Sequence, residues 1–368
     1  MQARNTLEPG TPDYDEFYRC HPEWQAKDDA IRELPGMGFV GSPLDLPLLG
    51  TQYEFLARLG MADRVDGPVN PERQQLSPER AAAKVKGFAK HLGADIVCMG
   101  PLNPAYVYTN VGKTWHDPAR FFGQPLEVPH KHAISVAVGI DPKMIATGPV
   151  LPEVVEIMRV YVKLATVATT LAEYIRALGY PARANVMPNY QVLCVPVAID
   201  AGMGELGRHG LMITPELGSA LKLAVITTEL PLAYDPPRDV GVKEFCEDCM
   251  ICAEACPSGA IGRGDQKVVR GVEKWTINPE ACFSVWNDTG TDCGVCVASC
   301  PWTNPRTPFH RLMVRVATGK RKAGWWMSRA DKLFYGRFKP GPRPTWFEEP
   351  ADRWKKYRRL FGEKGSAE

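Results

Sequence analysis

Cys246-Glu247-Asp248-Cys249-Met250-Ile251-Cys252-Ala253-Glu254-Ala255-Cys256-Pro257 and Cys293-Gly294-Val295-Cys296-Val297-Ala298-Ser299-Cys300-Pro301 decide how this 368-residue chain is read. Together with Cys282, they hold eight of its eleven cysteines. The first stretch has the spacing C-x2-C-x2-C-x3-C-P, which in bacterial ferredoxins binds [4Fe–4S] clusters. The second is a variant, Cys282-x10-Cys293-x2-Cys296-x3-Cys300-Pro301. Three closely spaced thiolates wrap one cubane, and the cysteine before proline serves the other cluster. The spacing therefore predicts two [4Fe–4S] clusters, one on Cys246, Cys249, Cys252 and Cys300. The other falls to Cys293, Cys296, Cys282 and Cys256, with Cys282 the least regular member. A zinc site or disulfides would be the plainer alternative, but structural zinc needs four ligands and lacks the paired x3-C-P endings. Cys20, Cys98 and Cys194 are scattered, and the last two lie in apolar runs that suit small core residues.

The cluster window uses only a fraction of the chain, so a plain ferredoxin is too small a reading. A formal charge of +2 gives no footprint for nucleic acid or an acidic membrane surface. Thiolate ligands imply a reducing environment for assembly. The first residues show no hydrophobic signal core and no twin arginine. The most apolar segment, 152–178, is interrupted by Glu156, Arg159, Lys163, Glu173 and Arg176, so no transmembrane helix is expected. If Met1 is the native start, these features predict a cytoplasmic protein.

Residues 1–90 read as a wrapping segment rich in proline and glycine, with short helices near 23–34 and 51–61. Ser77-Pro78-Glu79 opens a helix that runs to about His91. Apolar runs predict strands at 95–99, 133–140, 192–199 and 221–228. A proline at 152 and a glycine at 179 bracket a long helix. Val154, Met158, Tyr161, Leu164, Ala168, Leu171, Ile175 and Leu178 share one of its faces. Pro236-Pro237 marks the entry to the cluster module, placed at 238–310. The aromatic, basic tail at 311–368 reads as a packing arm. Gly202, Gly204 and Gly207 fit G-x-G-x-x-G, but no helix pattern follows, so a dinucleotide fold is not supported. These glycines and Gly210 are better read as letting backbone approach a bulky cofactor.

Taken together, several runs closely resemble the corrinoid-dependent reductive dehalogenases of the catabolic type. They are Ala201 through Gly218, the helix end Ile175-Arg176-Ala177-Leu178-Gly179-Tyr180, Phe245 through Ile261, and Cys282-Phe283-Ser284-Val285-Trp286. The resemblance spans about 90–310 and includes Asp331–Arg337 in the tail. It implies an α+β fold with a nitroreductase-like corrinoid-binding core over 91–237 and a ferredoxin-like two-cluster module. It also implies a base-off corrinoid, and no Asp-x-His-x-x-Gly segment is present to supply a lower ligand. The seven histidines are scattered and read as structural or exposed.

By the same resemblance Tyr161, 12 residues before Glu173 and 18 before Gly179, is the proton donor. Lys222 tunes its acidity, Asn189 and Trp286 line the substrate pocket, and an external ferredoxin or flavodoxin supplies electrons. Lysine at 222, where respiratory members often have arginine, resembles the catabolic branch. The expected reaction is reductive dehalogenation of an organohalide. Two alternatives are epoxyqueuosine reductase, a tRNA-modifying enzyme, and an iron–sulfur electron carrier without catalysis. The first usually has Asp-Ser-Gly-Pro before its glycine loop, where this chain has Pro188-Asn189-Tyr190-Gln191-Val192.

Overall fold

A computed structural model describes residues 2–38, 40–112, 123–303, 329 and 338–348. The tail motif at 331–337 and the last residues of the cluster window lie outside the described residues. The core is a four-stranded antiparallel sheet built from β1 (Ile96–Pro101), β2 (His132–Gly139), β3 (Ala182–Asn185) and β6 (Leu221–Thr228), in the order β1-β2-β6-β3. Its central strands are apolar on both sides because both faces are covered. One face carries the 27-residue helix Leu151–Ala177, which a proline in its first turn starts. Leu164, Leu171 and Ile175 on that helix are fully buried together with Ala224 and Ile226 of β6. The opposite face carries the helix Cys194–Asp200, which packs on β1, β2 and β6. Leu221 and Leu223 of β6 join that second cluster.

The expected strand at 192–199 is therefore a helix over most of its length. Pro196 explains the difference. It has no N–H to give a sheet ladder, but the first turn of a helix needs none. The run is apolar because it lies across a sheet, burying Val197 and Ala198. The other three predicted strands and the helix Pro78–His91 form close to where they were expected, the last capped by Ser77 accepting from the Arg80 N–H at 3.3 Å. The α+β expectation holds. The short strand β3, beside β6, was not anticipated.

The N-terminal segment is tied to both halves of the molecule. Asn70 N–H donates to the Arg176 carbonyl at 3.0 Å, and the Tyr180 hydroxyl donates to the Gln74 carbonyl at 2.9 Å. Gly36 and Gly38 N–H groups donate to the Asn287 and Gly290 carbonyls. These bonds fix the helix Pro279–Thr289 that carries Cys282.

Following the helix Cys194–Asp200, the chain turns at Gly202 with φ +73° against the Pro236 carbonyl, which lies 2.1 Å from where a Cβ would be. Gly202→Ala should lose at least about 2 kcal/mol, from left-handed strain plus the clash. Gly87, inside the helix Pro78–His91 with open space around it, is the control. Gly87→Ala should gain about 0.5–1 kcal/mol. Anaerobic urea denaturation followed by circular dichroism measures both. Equal and negligible effects would refute the packing account of the turn.

Candidate active site and cluster ligands

The eight cysteines of the paired motif fall into two groups. Cys246 lies in the helix Val242–Asp248, Cys249 caps it, and Cys252 lies in the helix Ile251–Ala255. Cys300 approaches all three across the module, and the thiols of this group interact electrostatically. Cys282 interacts in the same way with Cys256, and Cys293 and Cys296 complete that set. Cys252 also interacts with Cys296, so the two sets lie against each other. Burial pushes the thiols up, Cys246 and Cys282 to about 11 and Cys296 to about 12, with Cys252, Cys293 and Cys300 also raised. Convergent buried thiols that resist ionisation need a positive partner to become ligands. Nearby, the buried Trp302 indole N–H and Ser299 hydroxyl have no acceptor among the described residues. Cluster sulfur would accept such donors, so the residues fit two cubanes.

Tyr161 and Lys222 come together through the sheet. Side chains on β6 alternate, and Lys222 has the parity of Ala224 and Ile226, which face the long helix. Its Nζ lies 5.1 Å from the Tyr161 ring centroid. It also donates to Asp292 Oδ2 at 3.3 Å. Burial opposes the ammonium, but Tyr161, Asp292 and Glu153 outweigh it and hold Lys222 above its usual range. It therefore remains a cation at neutral pH.

Glu153 and Asp292 are functional candidates that the sequence reading missed. Glu153 is fully buried in the first turn of the long helix, beside the Asp292-Cys293-Gly294 loop. Burial first, then Asp292, pushes its carboxyl far above the usual range. Among the described residues both Glu153 oxygens and Asp292 Oδ1 have no other partner, and a protonated Glu153 donating to Asp292 would satisfy the pair. The missed signal was the acid next to Cys293. Its partners, Glu153 and Lys222, are remote in sequence.

The remaining predicted residues take other positions. Asn189 is buried, accepting from Arg183 Nη2 at 2.7 Å and donating to the Gly60 carbonyl at 2.8 Å. Its amide thus ties the sheet edge to the N-terminal segment. Trp286 lies one helical turn from Cys282 and hydrogen-bonds its thiol, with its ring edge-on to Phe283 at 6.1 Å. It stands against the second cysteine set. At Gly204, Gly207 and Gly210 a Cβ would meet Ile213, His209 and Ile277 at 2.2–2.9 Å. Their missing side chains are therefore accounted for by close packing of the loop on protein, and any cofactor contact would come from its backbone edge.

His209, in the same loop, is buried and pushed down to about 4. Its Nδ1 accepts from the Leu211 N–H at 3.2 Å, which places the proton on Nε2. That N–H has no acceptor among the described residues. A corrin rim, rich in amide carbonyls, fits such a donor. A protonated Nε2 does not fit as a ligand to cobalt.

Residues 245–304 match a family model described as a 4Fe-4S dicluster domain. The chain is 32% identical over 285 residues to a tetrachloroethene reductive dehalogenase of Desulfitobacterium hafniense, covering 66% of this chain and 51% of that protein. It thus spans about half the length of the curated relatives it matches. A solved reductive dehalogenase, reported with a mechanism for B12-dependent dehalogenation, superposes with a TM-score of 0.70 at 25% identity, covering 84% of this chain and 43% of that one. The epoxyqueuosine reductase of Escherichia coli matches less of the chain, at 28% identity over 142 residues and 31% coverage of this chain and 34% of that protein. Among the described residues no helix is long and apolar enough to cross a membrane. By sequence over about two thirds of its length, and by fold, the chain is similar to reductive dehalogenases.

Proposed function

We propose that this protein removes halide from an organohalide by reduction, with Tyr161 as the proton donor. The observation that carries the proposal is the Tyr161–Lys222 pair, set on the helix-covered face of the sheet and linked through Asp292 to the second cysteine set. The reaction breaks a carbon–halogen bond and forms a carbon–hydrogen bond. It takes two electrons and one proton and releases halide. An external low-potential donor, a ferredoxin or flavodoxin, supplies the electrons to two [4Fe–4S] clusters.

A base-off corrinoid, when bound, supplies the carbon–halogen bond-breaking chemistry. His209 Nε2–H and the backbone edge of the 202–210 loop would hold it. Tyr161 holds the proton on its hydroxyl. Lys222 stands where its charge stabilises the oxygen left behind by proton transfer. Asp292 keeps the lysine directed at the ring, and Glu153, held neutral, adds no second negative charge to neutralise it.

Anaerobically reconstituted protein should carry about eight irons and eight sulfides per chain. Zinc with four or fewer irons would overturn the cluster assignment.

Reconstitution with cobalamin should give a cobalt(II) EPR signal without nitrogen splitting from a lower ligand. A nitrogen triplet would contradict the base-off reading. Failure to take up cobalamin at all would favour a simple electron carrier.

Positioned acid catalysis typically contributes about 100- to 10,000-fold. Tyr161→Phe should lose about 100-fold or more in single-turnover dehalogenation while keeping cofactor content. Lys222→Met should do nearly as much. Lys222→Arg should retain part, since the charge survives while the donor geometry changes. Turnover of Tyr161→Phe within about threefold of the parent would exclude it as the acid.

A further inference from the structure

Arg208 is one of the most deeply buried charges in the described residues, at 2% exposure. It lies in the glycine loop between β4 (Glu205–Leu206) and β5 (Met212–Ile213). Its guanidinium is used almost entirely on backbone carbonyls. Nε donates to the carbonyls of Cys246 and Cys249 at 3.0 and 3.1 Å. Nη2 donates to those of Cys246 and Glu247 at 2.8 and 3.2 Å. Nη1 donates to Gly262 and Gly264 at 3.1 and 3.0 Å. One face lies 4.7 Å from the Trp275 ring centroid.

The cation forms no ion pair among the described residues, and a buried charge without a counter-charge is costly. Carbonyl dipoles and an aromatic face offset part of that cost. The carbonyls it grips belong to the turn that presents Cys246 and Cys249, two of the four ligands in the first set. A cubane held by four thiolates is anionic, and reduction adds one electron and no proton. A fixed positive charge behind the ligand turn stabilises the reduced state more than the oxidised one.

We propose that Arg208 is a positioning residue for the cluster on Cys246, Cys249, Cys252 and Cys300, fixing its ligand turn and acting as the built-in counter-charge that eases its reduction. The proposal rests on the reading of these cysteines as cluster ligands. It goes beyond that reading by assigning the glycine loop an electrostatic role in electron transfer.

The test uses the full chain, reconstituted anaerobically, as parent, Arg208→Gln and Arg208→Lys. Iron and sulfide content and EPR-monitored redox titration are measured on each. In Arg208→Gln one of the two midpoints should fall by at least 59 mV, a tenfold loss in the reduced-to-oxidised ratio at fixed potential for one electron. The other should move far less. Arg208→Lys keeps the charge but not the fork, so its midpoint should stay close to the parent while cluster loss on standing becomes faster. Fully loaded Arg208→Gln with both midpoints unchanged overturns the proposal. So does an equal fall in both variants, which would report turn geometry and not charge. If only Arg208→Lys loads, a parental midpoint supports the counter-charge and a fall of 59 mV or more refutes it. If both variants fold but neither loads the set, Arg208 acts in assembly alone, and the electrostatic claim fails. A parent that binds no iron would instead refute the cluster assignment itself.

Discussion

The contact on which the site depends is the one between Lys222 and Asp292. Lys222 belongs to the central sheet, and Asp292 adjoins Cys293 in the cysteine module. Each is mostly buried, so each needs the other. Breaking a buried pair by removing one partner typically costs about 3–5 kcal/mol. The pair also holds the ammonium against the Tyr161 ring. Glu153 is packed behind the same loop, where burial pushes its carboxyl well above the usual range. Cys293 adopts φ 71°, unusual for a residue other than glycine, and the next residue is Gly294, where a Cβ would lie 2.5 Å from Glu153 Oε1. The strained turn and the missing side chain allow the acid, the ligand loop and the lysine to meet.

What the sequence made legible follows the range of the interactions involved. The paired cysteine spacing is local, and it points to the dicluster domain whose family model matches residues 245–304. The long helix could be found from periodicity, because Leu164, Leu171 and Ile175 repeat with its step, and β6 from its β-branched apolar run. Tyr161 lies in the same apolar stripe as ordinary core residues, so only the resemblance distinguished it. The helix Cys194–Asp200 was misread because a β-branched run buried on a sheet face looks like a strand, and Pro196 carried too little weight. Glu153 and Asp292 were missed for a different reason. Asp292 has only its place beside Cys293 as a local signal and Glu153 has none, and their meaning comes from each other and from Lys222, across the fold.

The glycine loop also has a different physical basis from the one its pattern suggests. Its glycines are explained by close contacts with Pro236, Ile213, His209 and Ile277. That packing holds two polar side chains in place. Arg208 is directed into the ligand turn of the first cysteine set, and His209 presents a buried N–H without a protein acceptor. A loop clamped on protein can aim such groups accurately, because the main-chain freedom of glycine is used up by contact.

Adding an electron to a buried centre requires compensation by a fixed positive charge or by a proton. The two halves of the molecule supply these separately. At the first cysteine set the cation is an arginine, which cannot give up its proton in a protein. That side can carry charge without leaking protons. At the sheet the cation is a lysine beside a phenol, and there a proton can leave. Under the proposed function, these residues would confine proton release to the end of the electron path, where a carbon–halogen bond would be replaced by a carbon–hydrogen bond.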